Sequence, residues 1–185
     1  MRRLKAELRP HPTTYCEAVS RIGIEIDDRD FPRALRLRYR IDGEIARIRV
    51  PPPGFARRSD GLWQHTCFEA FLRPDASDSY HEFNFAPSGD WALYRFGARR
   101  SGRSLPELPA PPAIECGAGQ DRIDLSAQFS IAALPELAGA ASLCVGMAAV
   151  VEAEDGSLSY WALAHGGEEP DFHDPSSFAL RAGFA

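Results

Sequence analysis

The densest chemistry in this chain lies in residues 63–96. In Cys67-Phe68-Glu69-Ala70-Phe71-Leu72, alternation puts Phe68, Ala70 and Leu72 on one face and Cys67, Glu69 and Phe71 on the other. In Tyr80-His81-Glu82-Phe83-Asn84-Phe85, it separates His81, Phe83 and Phe85 from Tyr80, Glu82 and Asn84. The Phe-rich sets read as a core face. The remaining sets form a second face rich in carboxyl and amide groups. Facing residues of paired strands share a face, so an odd residue of the first run meets an even residue of the second. The central register sets Glu69 opposite Glu82 and Cys67 opposite Asn84; a shift of two sets Glu69 opposite Asn84 instead. A two-residue loop at Ser88-Gly89 then brings Arg95 opposite Glu82 and Trp91 opposite Ala86, giving a row Glu69, Glu82, Arg95.

Directly opposed carboxylates repel, so such a row needs a proton, a guanidinium or a ligand between them. Arg95 is the expected guanidinium. Polyols fit the same groups, because hydroxyls donate to carboxylates and accept from Arg and Asn. Trp63, Trp91 and Trp161 are candidate stacking surfaces, and His65 belongs with the polar face. A pocket with apolar surfaces and a few convergent polar groups is the general form of a small-molecule site. The competing reading is a solvated outer sheet face with a surface ion pair, the tryptophans being core residues.

The elements that must carry these groups are strands. Period-two alternation recurs along the chain, and helical periodicity is rare. Leu35, Leu37, Tyr39 and Ile41 alternate with Arg36, Arg38 and Arg40, and Asp42-Gly43 followed by residues 45–50 predicts a hairpin. Further strands are expected over 64–72, 79–86, 91–97, 113–116 and 121–127. Others are expected over 143–153 and 157–164, around a turn at Asp155-Gly156, and over 177–184. Pro106, Pro109, Pro111 and Pro112 mark a surface crossing. Residues 130–137 predict one short helix. About ten short strands in a single domain, residues 1–185, imply an all-β fold: an antiparallel β-sandwich, jelly-roll-like, with one short helix.

Composition narrows the function classes. The 185 residues carry 21 basic and 26 acidic side chains, a formal net charge of −5, which argues against nucleic acid as a partner. Hydrophobic residues make up 44% and charged ones 25%, the balance of a folded chain rather than a disordered one. No apolar run is long enough to span a membrane. The basic start Met-Arg-Arg-Leu-Lys has no apolar stretch behind it, so a cytoplasmic location is expected, with Cys16, Cys67, Cys116 and Cys144 as reduced thiols.

The stretch Leu62–Leu72, the stretch Tyr80–Trp91 and the later Leu158-Ser-Tyr-Trp-Ala-Leu-Ala-His165, with Pro170-Asp-Phe-His173, resemble the bacterial DOMON-like domains. These are similar to family-nine carbohydrate-binding modules and, more distantly, to DOMON domains. The resemblance implies a β-sandwich with a ligand face on one sheet. Family-nine modules bind sugars there with tryptophans clamping the ring, and DOMON relatives bind sugar or haem. Glu69, Glu82, Asn84 and Trp91 fall in the matching motif. Trp63 is a candidate for its aromatic face, and Arg95, His65, Trp161 and His165 are added on geometry. The chain departs from the pattern in lacking a visible secretion signal and an attached catalytic domain.

The expectation is a non-catalytic module binding a small-molecule ligand, a carbohydrate, without a required cofactor. Four alternatives stay open. A glycosidase would use two carboxyl groups about 5–5.5 Å apart. Haem would need axial ligands from Met147, His65, His165 or His173. A structural cation would draw on Asp171, His173 and Asp174, or on His65 with Glu69. A structural or protein-interaction role needs no small ligand, though nothing names a protein partner. Arg95, Arg99, Arg100 and Arg103 form a basic stretch that reads as a solvated loop or, in the minority reading, an anion site.

Overall fold

The computed structural model describes residues 3–183. Eleven strands follow one another: β1 (Arg3–Pro10), β2 (Val19–Asp27), β3 (Ala34–Gly43), β4 (Cys67–Pro74), β5 (Tyr80–Phe85) and β6 (Trp91–Phe96) come first. Then come β7 (Ala113–Ala118), β8 (Arg122–Ser130), a one-turn helix α1 (Pro135–Ala138), β9 (Ser142–Glu152), β10 (Leu158–Ala162) and β11 (Leu180–Gly183). Every pairing between them is antiparallel. One sheet runs β7-β8-β3-β2-β1 and the other β6-β5-β4-β9-β10. The end of β1 joins them, Arg9 and Pro10 pairing with Ala162 and Trp161. Along its free side β9 takes β10 at one end and β11 at the other. The fold is a curled β-sandwich, as the alternation predicts.

The core lies between the sheets. Leu35, Leu37, Tyr39 and Ile41 are buried from one side, while Arg36, Arg38 and Arg40 stay exposed. They meet Phe68, Phe83, Phe85, Leu93 and Met147 from the other sheet in one apolar cluster. Phe83 stacks on Phe129 at 4.2 Å between centroids. The Tyr39 hydroxyl donates to the Glu69 carbonyl at 2.7 Å, a polar stitch between the layers.

Several element boundaries differ from expectation for identifiable reasons. The hairpin over 35–50 does not form: β3 is paired by β2 on one edge and β8 on the other, leaving no edge for residues 45–50. Residues 45–47 form a short 3-10 turn, and Ile48 makes an isolated bridge to Ala153. Strands β1 and β2 were not expected, although Leu4, Ala6 and Leu8 alternate with charged residues along β1. Of the helix expected over 130–137, Ser130 belongs to β8, and Pro135 opens a single turn. The last strand begins only at Leu180, after a 3-10 turn at Pro175–Ser177; Phe184, in the span expected for it, lies outside the described residues.

Candidate functional site

Strands β4 and β5 are buried on both faces, so their sheet has a second apolar layer outside the sandwich. On the inner face Phe68, Ala70, Leu72, Phe83 and Phe85 join the main core. On the outer face Phe71, Tyr80, Tyr94 and Phe96 pack with Phe172 and Phe178 from the segment before β11. That segment covers the sheet and turns a surface into a cleft.

Register decides which groups share this face. Glu69 stands opposite Asn84 and Phe71 opposite Glu82, which is the register shifted by two. The two glutamates are therefore diagonal rather than directly opposed, at a spacing of about 7–8 Å along the sheet. Between β5 and β6 the correction is by one residue. Ala86 and Asp90 close a three-residue loop, Ala86 N–H donating to the Asp90 carbonyl at 2.9 Å, with Gly89 at φ +91. Phe85 then faces Trp91, His81 faces Arg95, and Glu82 faces Tyr94. One residue of register moves a whole strand to the other face, so the row Glu69, Glu82, Arg95 does not exist.

A cleft of about 430 Å³ opens on this outer face. Glu69, Glu82 and Val150 of β9 form its floor. Tyr94 and Phe96 rise from β6, and Trp63, in the turn before β4, meets Tyr94 edge-on at 6.0 Å. Tyr160 of β10 and the run Pro170, Phe172, His173 make the opposite wall. Arg100 and Arg103, from the loop after β6, stand at the rim.

The floor is electrostatically unusual. Glu69 is 3% exposed and its carboxyl makes no hydrogen bond to any described residue. Burial raises its pKa well above the ordinary carboxylate value, and the neighbouring Glu82 adds to this. Glu82 is 5% exposed. Burial raises it to about 7, against the hydrogen bond from Asn84 and the charges of Arg100 and Arg103. Asn84 Nδ2 donates to Glu82 Oε1 at 2.8 Å. His173 Nε2 stands 3.6 Å from Glu82 Oε2, just beyond hydrogen-bonding length. The other nitrogen, Nδ1, lies 2.6 Å from the Tyr80 hydroxyl, which accepts from the Arg100 backbone N–H at 3.2 Å. The Tyr80 hydroxyl thereby fixes the orientation of the His173 ring and points its Nε2 edge at Glu82. Burial lowers His173 to about 4, with Arg100 acting in the same direction.

Asp171 fastens the wall to the rim loop. Arg99 Nη2 donates to its Oδ2 at 2.6 Å and Arg100 Nη2 to its Oδ1 at 2.8 Å. Burial acts to raise Asp171, but the two guanidiniums and the His173 backbone N–H hold it at about 2.

Of the residues singled out in the sequence, Trp63, Glu69 and Glu82 line the cleft, with Asn84 buried beneath. The others lie elsewhere. Trp91 is in the main core with the Arg58 guanidinium 5.4 Å over its ring. Trp161 is 3% exposed, its Nε1–H donating to Ser159 Oγ. Arg95, on the inner face, pairs with Glu136 at 2.6 Å. His65 Nδ1 lies 2.7 Å from Glu152 Oε2. His165 sits at the β1–β10 junction, 2.8 Å from the Arg9 carbonyl. Met147 belongs to the main core. The three tryptophans do not converge. Tyr94, Phe96 and Tyr160 were missed; the parity that selects Tyr94 and Phe96 appears only when the β5–β6 loop has three residues. Arg100, Arg103 and His173 lay in stretches already noted, without a link to the glutamates.

No protein-family model matches this sequence, and no curated protein matches it. Solved structures do. A candidate carbohydrate-binding protein from Bacteroides uniformis aligns with a TM-score of 0.67 at 17% identity, covering 97% of this chain and 86% of that one. A family-nine carbohydrate-binding module from Caldicellulosiruptor kristjanssonii in complex with glucose aligns at 0.47 with 10% identity, over 96% of this chain and 86% of that one. One in complex with cellotriose aligns at 0.47 with 11% identity, over 89% and 76%. The first likeness is one of fold.

Proposed function

We propose that this protein is a non-catalytic sugar-binding module and that the outer-face cleft of β4-β5-β6 is its site. The observation that carries this reading is Glu69: a residue 3% exposed, its carboxyl without a hydrogen bond to any described residue and opening onto an aromatic-walled cleft. Its oxygens reach the cleft rather than being sealed in the protein, so their hydrogen-bond partners come from the cleft side, water or a ligand's hydroxyls. Sugar hydroxyls complete the site. A protonated Glu69 both donates and accepts, and Glu82, oriented by Asn84, accepts. Trp63 and Tyr160 offer ring surfaces to the apolar faces of a pyranose, with the buried Tyr94 packed behind Trp63.

The side-by-side placement of the two carboxyls on one floor supports binding over catalysis, because glycosidase carboxyls flank the scissile bond. The fold shared with the Bacteroides protein agrees with the same reading. The test is a tryptophan-fluorescence and calorimetric titration against neutral mono- and oligosaccharides. A saturable response, lost in Glu69→Ala, is expected. A flat response across the panel overturns the proposal.

A further inference from the structure

The rim loop holds a cation that its neighbours have not used. Arg95 is committed to Glu136, and Arg99 and Arg100 to Asp171. Arg103 forms no ion pair or hydrogen bond with any described residue; its guanidinium rests 5.3 Å over the Tyr94 ring and lines the cleft. The loop fixes its position. Ser104 and Arg95 exchange backbone hydrogen bonds of 2.8 and 3.0 Å, closing the loop on β6. Arg100 holds a left-handed backbone at φ +53, uncommon for a residue with a side chain, and its N–H there reaches Tyr80. The cleft is thus bipolar. Its floor offers hydroxyl-binding carboxyls, with Glu69 unpartnered. Its rim offers an unpaired guanidinium already desolvated on one side by an aromatic face.

Resting on the sugar-binding reading, we infer that the cleft selects sugars bearing a carboxylate, of the uronate class. The hydroxyls engage Glu69 and Glu82, and the carboxylate takes Arg103. A guanidinium fork matches a carboxylate in bidentate geometry. One unpaired guanidinium suits a monoanion better than a phosphate dianion. An acid group at the rim also stays away from the floor, where the Glu82 charge already disfavours a second anion at Glu69.

The experiment compares D-glucuronate and D-galacturonate with D-glucose and D-galactose by calorimetry at low salt, on the full chain. Inorganic phosphate and glucose 6-phosphate are further titrants. The expected result is uronate binding about three- to fivefold tighter than the matching neutral sugar, the size of an exposed ion pair. Added salt should narrow the ratio, because the rim charge is exposed to screening. Arg103→Gln should bring the ratio to near unity, and Arg103→Lys should restore part of it. Arg40→Gln, whose side chain pairs with Asp124 on the other sheet, should leave the ratio alone. Equal affinity for acid and neutral sugar overturns this inference while the sugar reading stands. Tighter binding of glucose 6-phosphate, or displacement of glucuronate by inorganic phosphate, overturns the uronate assignment. No response to any sugar removes both.

Discussion

His173 Nε2 lies 3.6 Å from Glu82 Oε2, yet the two do not form an ion pair at neutral pH. Burial drives both toward their uncharged forms, lowering the imidazole to about 4 and raising the carboxyl to about 7. The contact is one of orientation. Tyr80 turns the ring, and the ring presents its Nε2 edge to the carboxyl that would receive a ligand.

The buried groups set a pH profile of stability. Glu69 and Glu82, raised from 4.5, retain protons in the folded state that the unfolded chain releases. Their contribution is complete below 4.5 and is lost as pH rises through about 7 and beyond. His81 and His173, lowered from 6.5 to about 4, act oppositely: their contribution is present above 6.5 and lost as pH falls through about 4. His165, also lowered from 6.5 by burial, adds to the histidine side, so between 4.5 and 6.5 these groups oppose the two glutamates and Tm should stay flat or rise slightly there. Above 6.5 it should fall, at about 1.4 kcal/mol per pH unit for each proton held only by the folded state. Calorimetry from pH 5 to 9 should show that fall shrink in Glu69→Gln. An unchanged slope would count against a buried, protonated Glu69.

The tryptophans divide the labour of fold and site. Trp91 and Trp161 are core residues, so Trp161→Ala should cost about 3–5 kcal/mol in urea denaturation. Trp63, 37% exposed at the cleft mouth, should cost less than about 1 kcal/mol as Trp63→Phe while abolishing the ligand-induced fluorescence change. If Trp63→Phe keeps that change, the reporter lies in the core and the ligand is elsewhere.

Asp171 holds two guanidiniums that are about half exposed, so the clamp adds little to global stability. Asp171→Asn should lower stability by about 1 kcal/mol or less, yet speed amide exchange in residues 97–103 and weaken sugar binding several-fold. Exchange rates indistinguishable from wild type would show that the loop is positioned by its backbone bonds alone.

Gly146 lets the covering segment lie on the sheet. A Cβ there would come within 3.3 Å of both Phe71 Cβ and the Ser177 carbonyl. Gly146→Val should cost about 1–3 kcal/mol and displace the turn at residues 175–177, a change visible in the NMR shifts of Phe172 and Phe178. A silent substitution would mean that the segment is looser than its packing suggests.

Much of this was legible. The alternation in β3, β4 and β5 identifies the core face, and parity alone puts Glu69, Glu82 and Asn84 on the other. What alternation does not carry is register. The choice between Glu82 and Asn84 as the partner of Glu69 depends on how residues 75–79 turn, and both options keep parity. The place of Arg95 depended on one residue of loop length, set by the left-handed Gly89. Trp91 and Trp161 misled for a different reason: an indole carries no mark of which sheet face it occupies. The outer face was expected to be solvated or ligand-bound, and no local pattern says that residues 170–178 return to cover it.

The topology also sets an order of events. The carboxyl-bearing part of the floor is local, since β4, β5 and β6 are joined by short turns, while Val150 comes from β9. The walls are not: Tyr160 and His173 arrive from strands and turns some ninety residues further along, after β9 has docked beside β4. Non-local closures of this kind are slow to nucleate. A site whose walls arrive from so far along the chain needs every layer in place, so binding competence is a stricter measure of complete folding than secondary structure.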